Sequence, residues 1–278
     1  MEPLLSKLPA EDLCAAIGRS GGSALLGPAS AAPRGARLRL RLVAGEGPSA
    51  PVGRASASRV AASPRSLALA FSEGEGAAWC ADCVLSELAG LDDGGGGDGA
   101  SQRRRLASAF ARAEAQLSAA HEDGRATGLS TTLTSASAVV VSEDGAVLHV
   151  AHVGDVVVLL VRDGLVVRRS RAHVPADAEE MRRVRAHGGF LVDGRVNGLV
   201  PVTRGLGFFS LKRLIHVLSP EPDVEIWNDV ASGDAVVLVP SAALAALGGE
   251  DAVGRVVTTS PPPPRAGPNP SCAVARIV

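Results

Sequence analysis

Apolar and polar positions change their rhythm several times along the chain. Residues 37–43 read Arg-Leu-Arg-Leu-Arg-Leu-Val, a period of two that predicts a half-exposed strand with one basic face. Leu67-Ala-Leu-Ala-Phe71 predicts a buried strand that ends in the turn 72–76. Over Ala77–Leu88 and Arg103–His121 the apolar positions recur at helical spacing, with Leu106, Phe110 and Leu117 on one face of the second segment. The Gly/Asp stretch 92–99 between them reads as a solvated insertion. From Thr132 the period of two returns, predicting strands over 132–141, 146–152, 156–161 and 165–167. Tight turns are expected at Glu143-Asp-Gly145, Gly154-Asp155 and Asp163-Gly164. A charged helix is predicted over 175–187, strands over 222–227 and 235–239, a short helix over 242–247 and a closing strand over 273–278. Two helices followed by antiparallel strands with a helix among them argue for an α+β sandwich.

The ends and linkers read differently. Leu4, Leu5, Leu8, Leu13 and Ile17 would share one face of a helix over residues 1–20, interrupted at Pro9. Residues 20–36 are Gly, Ser, Ala and Pro, the composition of a flexible linker. The expected division is therefore a flexible N-terminal segment with a candidate helix at 1–36 and one folded domain at 37–278. Glu2, Glu11 and Asp12 argue against a transit peptide, and no apolar run reaches membrane-spanning length. The expected location is intracellular, cytoplasmic or nuclear. Pro261–Pro264 sits inside the domain and reads as a loop.

Composition narrows the chemistry. The formal net charge of −1 gives no general attraction to nucleic acid or anionic membrane, and neither is expected as a partner. Aromatic residues make up 3% and Tyr is absent, which argues against stacking platforms for bases or sugars. Cys80-Ala-Asp-Cys83 has redox or zinc-knuckle spacing, but no second pair completes a zinc site, so two buried thiols are expected. His149 and His152 stand three apart on a strand and should face opposite ways. His121 and His187 fall at helix C-termini. No serine-nucleophile elbow is present.

One ordered set of motifs is more specific than any of its pieces. It comprises Ala151-His-Val-Gly-Asp155, Arg171-Ala-His-Val-Pro175, Glu180-Met-Arg-Arg-Val184 and His187-Gly-Gly189. Arg195-Val-Asn-Gly198, Leu199-Val-Pro-Val-Thr-Arg-Gly-Leu-Gly207 and Ser219-Pro-Glu-Pro222 follow. In order, spacing and glycines this set resembles the metal-dependent protein phosphatase 2C (PPM) family over residues 135–239, and more weakly over 37–278. The resemblance implies a four-layer α-β-β-α sandwich, with two antiparallel sheets flanked by helix pairs. It also implies a centre of two Mg²⁺ or Mn²⁺ ions that activates water for phosphate hydrolysis.

The metal-binding aspartates that the resemblance implies are replaced. Their positions fall on Arg59 (Val60 in a shifted register), Ser72, Ser241 and Asn269, and Phe208 follows Gly207 where the family continues with Asp. Hard divalent cations need several converging carboxylate or carbonyl oxygens. A carboxylate-to-serine change removes an anionic ligand, and an arginine repels the ion. Catalytic residues and a metal cofactor are therefore not expected. The weak metal candidates are Asp155, Glu73 and Glu75, with Asp155 alternatively a plain hairpin-turn residue. Arg54 is the candidate phosphate contact, or else a solvated loop arginine.

Two functions follow from these residues. The first is a phosphatase-fold protein without catalysis, a regulatory or binding module in phosphorylation signalling. Its partner would be a kinase, a phosphoprotein or a phosphatase target. The alternative is an active serine/threonine phosphatase with an atypical Mg or Mn site.

Overall fold

The computed structural model describes residues 38–43, 56–62, 67–73, 77–89, 99–125, 133–141, 147–214, 216–246, 248–258 and 272–277. The strands are β1 (Leu38–Val43), β2 (Ser56–Ala62), β3 (Leu67–Glu73), β4 (Leu133–Val141), β5 (Leu148–Val153), β6 (Val156–Arg162) and β7 (Leu165–Arg169). They continue with β8 (Leu191–Val192), β9 (Arg195–Val196), β10 (Leu206–Gly207), β11 (Asp223–Trp227), β12 (Ala235–Pro240) and β13 (Cys272–Ile277). The helices are α1 (Ala77–Ala89), α2 (Gly99–Glu122), α3 (Ala178–Ala186), α4 (Phe209–Leu214), α5 (Ser241–Ala246) and α6 (Glu250–Thr258).

Two antiparallel sheets form the body. One has the order β1-β13-β12-β6-β7; the other has the order β11-β5-β4-β3-β2, with β10 paired to β4. The first closes through strands distant in sequence, with Leu38 opposite Ile277. Alternation explains how each sheet serves two cores. Val157, Leu159 and Val161 of β6 and Ala235, Val237 and Val239 of β12 pack outward with Leu244 of α5 and Val253 of α6. The intervening Val156, Val158, Leu160, Val236 and Leu238 are also buried, and a strand's period of two turns them to the other sheet. In the second sheet Ala136, Ala138, Ala151 and Val153 pack under Leu106, Phe110 and Leu117 of α2 and Val84 of α1. The layers therefore run α-β-β-α, as the α+β sandwich expectation requires.

Helix α3 carries its own start signal. Asp177 caps it, accepting from Glu179 N at 2.9 Å and Glu180 N at 3.1 Å. Glu179 and Glu180 lie in the first turn and Arg183 and Arg185 in the last, the sense that the helix dipole favours. The helix begins at Ala178, later than the 175 expected, because the Asp177 cap sets the boundary. Helix α2 begins at Gly99, so Arg103–Arg105 lie inside it and not at its N-terminal end.

Several elements go beyond the sequence expectations: β2, the two-residue strands β8, β9 and β10, and helices α4 and α6. Cys80 and Cys83 are buried free thiols on α1, as expected. Among the described residues, no helix is long and apolar enough to cross a membrane. The N-terminal segment 1–36, the acidic loop 92–98 and Pro261–Pro264 lie outside the described residues.

Candidate functional site

The turn between β5 and β6 is where chain segments converge. Gly154 takes φ +85°, and a Cβ there would stand 2.1 Å from Ser135 Oγ, so only glycine fits. Asp155 follows. Its amide donates to Ser135 Oγ at 3.1 Å, and the Ser135 hydroxyl donates to Asp155 Oδ1 at 3.0 Å. Its carbonyl accepts from Ser241 N at 3.0 Å and from the Ser241 hydroxyl at 2.8 Å. The Ser137 hydroxyl donates to Val156 O at 2.8 Å. Strand β4, the turn and the β12–α5 junction thus meet at one end of the sandwich.

The sequence-derived candidates distribute unevenly around this point. Asp155 and Ser241 are brought together. Glu73, at the end of β3, is the register partner of Ser135, whereas Ser72 pairs with Ala136, a residue packed beneath the helices. It is therefore Glu73, not Ser72, that shares a rung with the Asp155 contact. Arg59 sits within β2 opposite Ala70, and Val60 sits opposite Leu69, both further along the sheet from the Ser56–Glu73 rung. Arg54, Glu75 and Asn269 lie outside the described residues. Phe208, where the resemblance places an aspartate, adopts φ 56° and packs partly against the Met181–Val184 cluster. A bulky residue in the left-handed region costs about 1–2 kcal/mol.

Beside the turn lies a buried charged network. The rings of His152 and His173 stack with centroids 4.7 Å apart and planes 4° from parallel. Gly154 N donates to His173 Nδ1 at 3.1 Å, so that nitrogen carries the lone pair and Nε2 the proton. His173 Nε2 stands 3.2 Å from Asp223 Oδ2. His152 Nε2 donates to Arg171 O, which leaves His152 Nδ1 buried without a partner. Arg204 links Asp223 Oδ1, at 3.0 Å from Nη1, to Glu180 Oε1, at 3.0 Å from Nε. Thr203 and Arg183 also donate to Glu180 Oε2.

Electrostatics follow this wiring. Burial opposes ionisation of Glu180, but hydrogen bonds from Arg204 and Thr203 outweigh it and hold the carboxyl at about 2. The His173 ring beside it, aided by Arg204, holds Asp223 well below the usual carboxylate range despite burial. Burial is the chief cause that lowers His152 to about 4, so its ring is neutral at neutral pH.

His152, His173 and Asp223 place a potential ligand atom each within 4.8 Å of one another, yet they do not suit an ion. Parallel stacked rings cannot both hold a metal in their planes. The His173 nitrogen that faces Asp223 already bears a proton. The three residues form a stacked ring pair beside a carboxylate, each ring anchored to the main chain. Glu180 stands in one motif of the sequence and Thr203 and Arg204 in another, and their local context does not show that they meet Asp223 and the histidine pair. The available signal was an acid and an arginine, each in a separate motif.

Comparison with known proteins completes the picture. The family model described as Protein phosphatase 2C matches residues 85–244, more than half of the chain. The chain belongs to the protein phosphatase 2C family. It is 43% identical over 82 residues to Protein phosphatase 2C homolog 1 of Schizosaccharomyces pombe, covering 30% of this chain and 24% of that one. It is 33% identical over 162 residues to Probable protein phosphatase 1N of Mus musculus, covering 56% and 38% respectively. The chain thus spans well under half the length of these curated relatives. Among solved structures, serine-threonine phosphatase 2C from Toxoplasma gondii superposes with a TM-score of 0.56 at 13% identity, covering 92% of this chain and 98% of that one. At that identity the likeness is one of fold, and it agrees with the sandwich of protein phosphatase 2C.

Proposed function

We propose that this protein is a phosphatase-fold module without phosphatase chemistry, acting as a regulatory or binding partner in phosphorylation signalling. The observation that carries the reading is Ser241. Where the family resemblance calls for a metal-binding aspartate, a neutral hydroxyl donates to the Asp155 main chain at 2.8 Å. The neighbouring acid is also engaged, because the Ser135 hydroxyl holds Asp155 Oδ1. Two divalent cations need a convergent set of oxygens, most of them anionic. Among the described residues, Asp155 belongs to no cluster of three or more such ligands. The described residues at this end of the sandwich do not fit a binuclear Mg²⁺ or Mn²⁺ centre, and no hydrolytic step is derived through one. Binding of a kinase, a phosphoprotein or a phosphatase target would use the scaffold alone.

A second reading has one specific observation in its favour. Glu73 shares a rung with Ser135, which brings a second acid to the Asp155 end of the sheet. On that reading the protein is a serine/threonine phosphatase with an unusual metal site that uses Glu73, Glu75 and Asp155. Hydrolysis of a small aryl phosphate, measured with and without Mn²⁺, separates the two. Our reading expects no metal-dependent turnover. Turnover that disappears in Asp155→Ala and Glu73→Gln would establish the second.

A further inference from the structure

We infer that Ser135 and Ser241 form a metal-independent clasp, which closes the Asp155 end of the sandwich with hydrogen bonds where the family fold would use ions. The inference rests on the reading that the binuclear centre is lost, and it adds what replaces it.

The bonding around the turn is nearly complete. Gly154 donates its amide to His173 Nδ1, and its carbonyl accepts from His173 N at 2.8 Å. The Asp155 amide goes to Ser135 Oγ, its carbonyl takes both Ser241 donors, and its Oδ1 takes the Ser135 hydroxyl. The Val156 carbonyl takes the Ser137 hydroxyl in addition to its place opposite Pro240 in the β12 ladder. Three consecutive residues are thus fastened by side chains from β4, from the segment after β7, and from the start of α5. Ser135 is used in both directions, as donor to the carboxylate and as acceptor from the amide.

This arrangement does for the fold what a bridging ion does between strand ends. It gives donors to the Asp155 carbonyl and to one carboxylate oxygen, and it fixes three elements relative to one another. It does so with neutral donors already in place. Gly154 belongs to the same device: its missing side chain is what lets the Ser135 hydroxyl approach the turn.

The test is thermal unfolding of the full chain in EDTA, in millimolar Mg²⁺ and in millimolar Mn²⁺, for the wild type and for Ser135→Ala, Ser241→Ala and Ser241→Thr. The clasp predicts one wild-type Tm in all three buffers. Each alanine variant should melt about 2–4 °C lower in every buffer, for the loss of roughly one buried hydrogen-bond set. Ser241→Thr, which keeps the hydroxyl, should melt close to the wild type. Amide hydrogen exchange adds a local readout: the Asp155 amide should lose protection in Ser135→Ala, and more than amides of β7 do. A wild-type Tm raised several degrees by Mn²⁺, or alanine variants that melt with the wild type, would overturn the clasp. If an alanine variant fails to fold, the wild-type buffer comparison and Ser241→Thr still decide. Mn²⁺ stabilisation without turnover would sink the clasp and spare the inactive reading; metal-independent turnover with an unmoved Tm would do the reverse.

Discussion

Lowering the pH from 7 to 5 should weaken the fold through His152 in particular. The folded ring titrates near 4 against an ordinary value of 6.5, chiefly because it is buried. Between those two values the unfolded chain binds a proton that the folded chain refuses, so stability falls as pH falls. The contribution is fully present above the unfolded value and is lost as pH drops toward the folded one. With those two values, linkage gives a loss of about 2 kcal/mol between pH 7 and pH 5. For a chain of this size that corresponds to a Tm drop of roughly 4–8 °C. The groups facing the ring are His173, Asp223 and Arg204, with Arg171 supplying the carbonyl it bonds. His152→Gln keeps an amide donor for that carbonyl and removes the titration. Calorimetric Tm values at both pH values, for wild type and variant, give a double difference in which shared carboxylate effects cancel. Glu180, held at about 2, loses its own contribution mostly below this window. The wild type should lose more than the variant. Equal losses in both proteins would refute the assignment of the acid sensitivity to His152.

Other outcomes follow from single contacts. Gly154→Ala should destabilise by more than about 2 kcal/mol in urea unfolding, since the new Cβ meets Ser135 and the left-handed φ adds strain. Glu180→Ala should cost roughly 3 kcal/mol in the same assay, because it removes the buried acceptor that Arg204, Arg183 and Thr203 share, while Arg204 keeps Asp223 and Arg183 keeps two main-chain carbonyls. The Cys80 thiol, pushed up to about 12 chiefly by burial, should resist iodoacetamide in the native protein and react once denaturant is added, as read by mass spectrometry.

How much of this was legible in the sequence depends on the range of the interaction. The β5–β6 hairpin was readable because an apolar run, a Gly-Asp turn and a second apolar run are local signals. Helix α2 was readable for the same reason, from Leu106, Phe110 and Leu117. Strand β2 was not, since Ser56-Ala-Ser-Arg-Val-Ala-Ala62 has small side chains and no clean alternation. Helix α6 was hidden by Gly254 in its middle. That glycine is there because a Cβ would fall 1.7 Å from Gly164 O on the β6–β7 turn, a tertiary cause invisible locally. Strands of two residues, such as β8 and β9, are too short to show any period.

The candidate site divides in the same way. Asp155 and Ser241 were singled out from motif order, but their contact spans 86 residues and exists only because β12 lies beside β6. The histidine stack required β11 to return to β5, which sets Asp223 opposite His152. Nothing in the spacing of His152, His173 and Asp223 encodes that return. The register of β3 on β4 places Glu73, and not Ser72, opposite Ser135, a one-residue difference that decides which face of the sheet a position shares.

The central claim is that this phosphatase scaffold carries no working binuclear centre. It is tested most directly by metal content and aryl-phosphate turnover measured on one preparation of the full chain equilibrated with Mn²⁺. The account predicts no stoichiometric Mn²⁺ after desalting and no metal-dependent hydrolysis. Two equivalents of retained Mn²⁺, together with turnover abolished by Asp155→Ala, would contradict it.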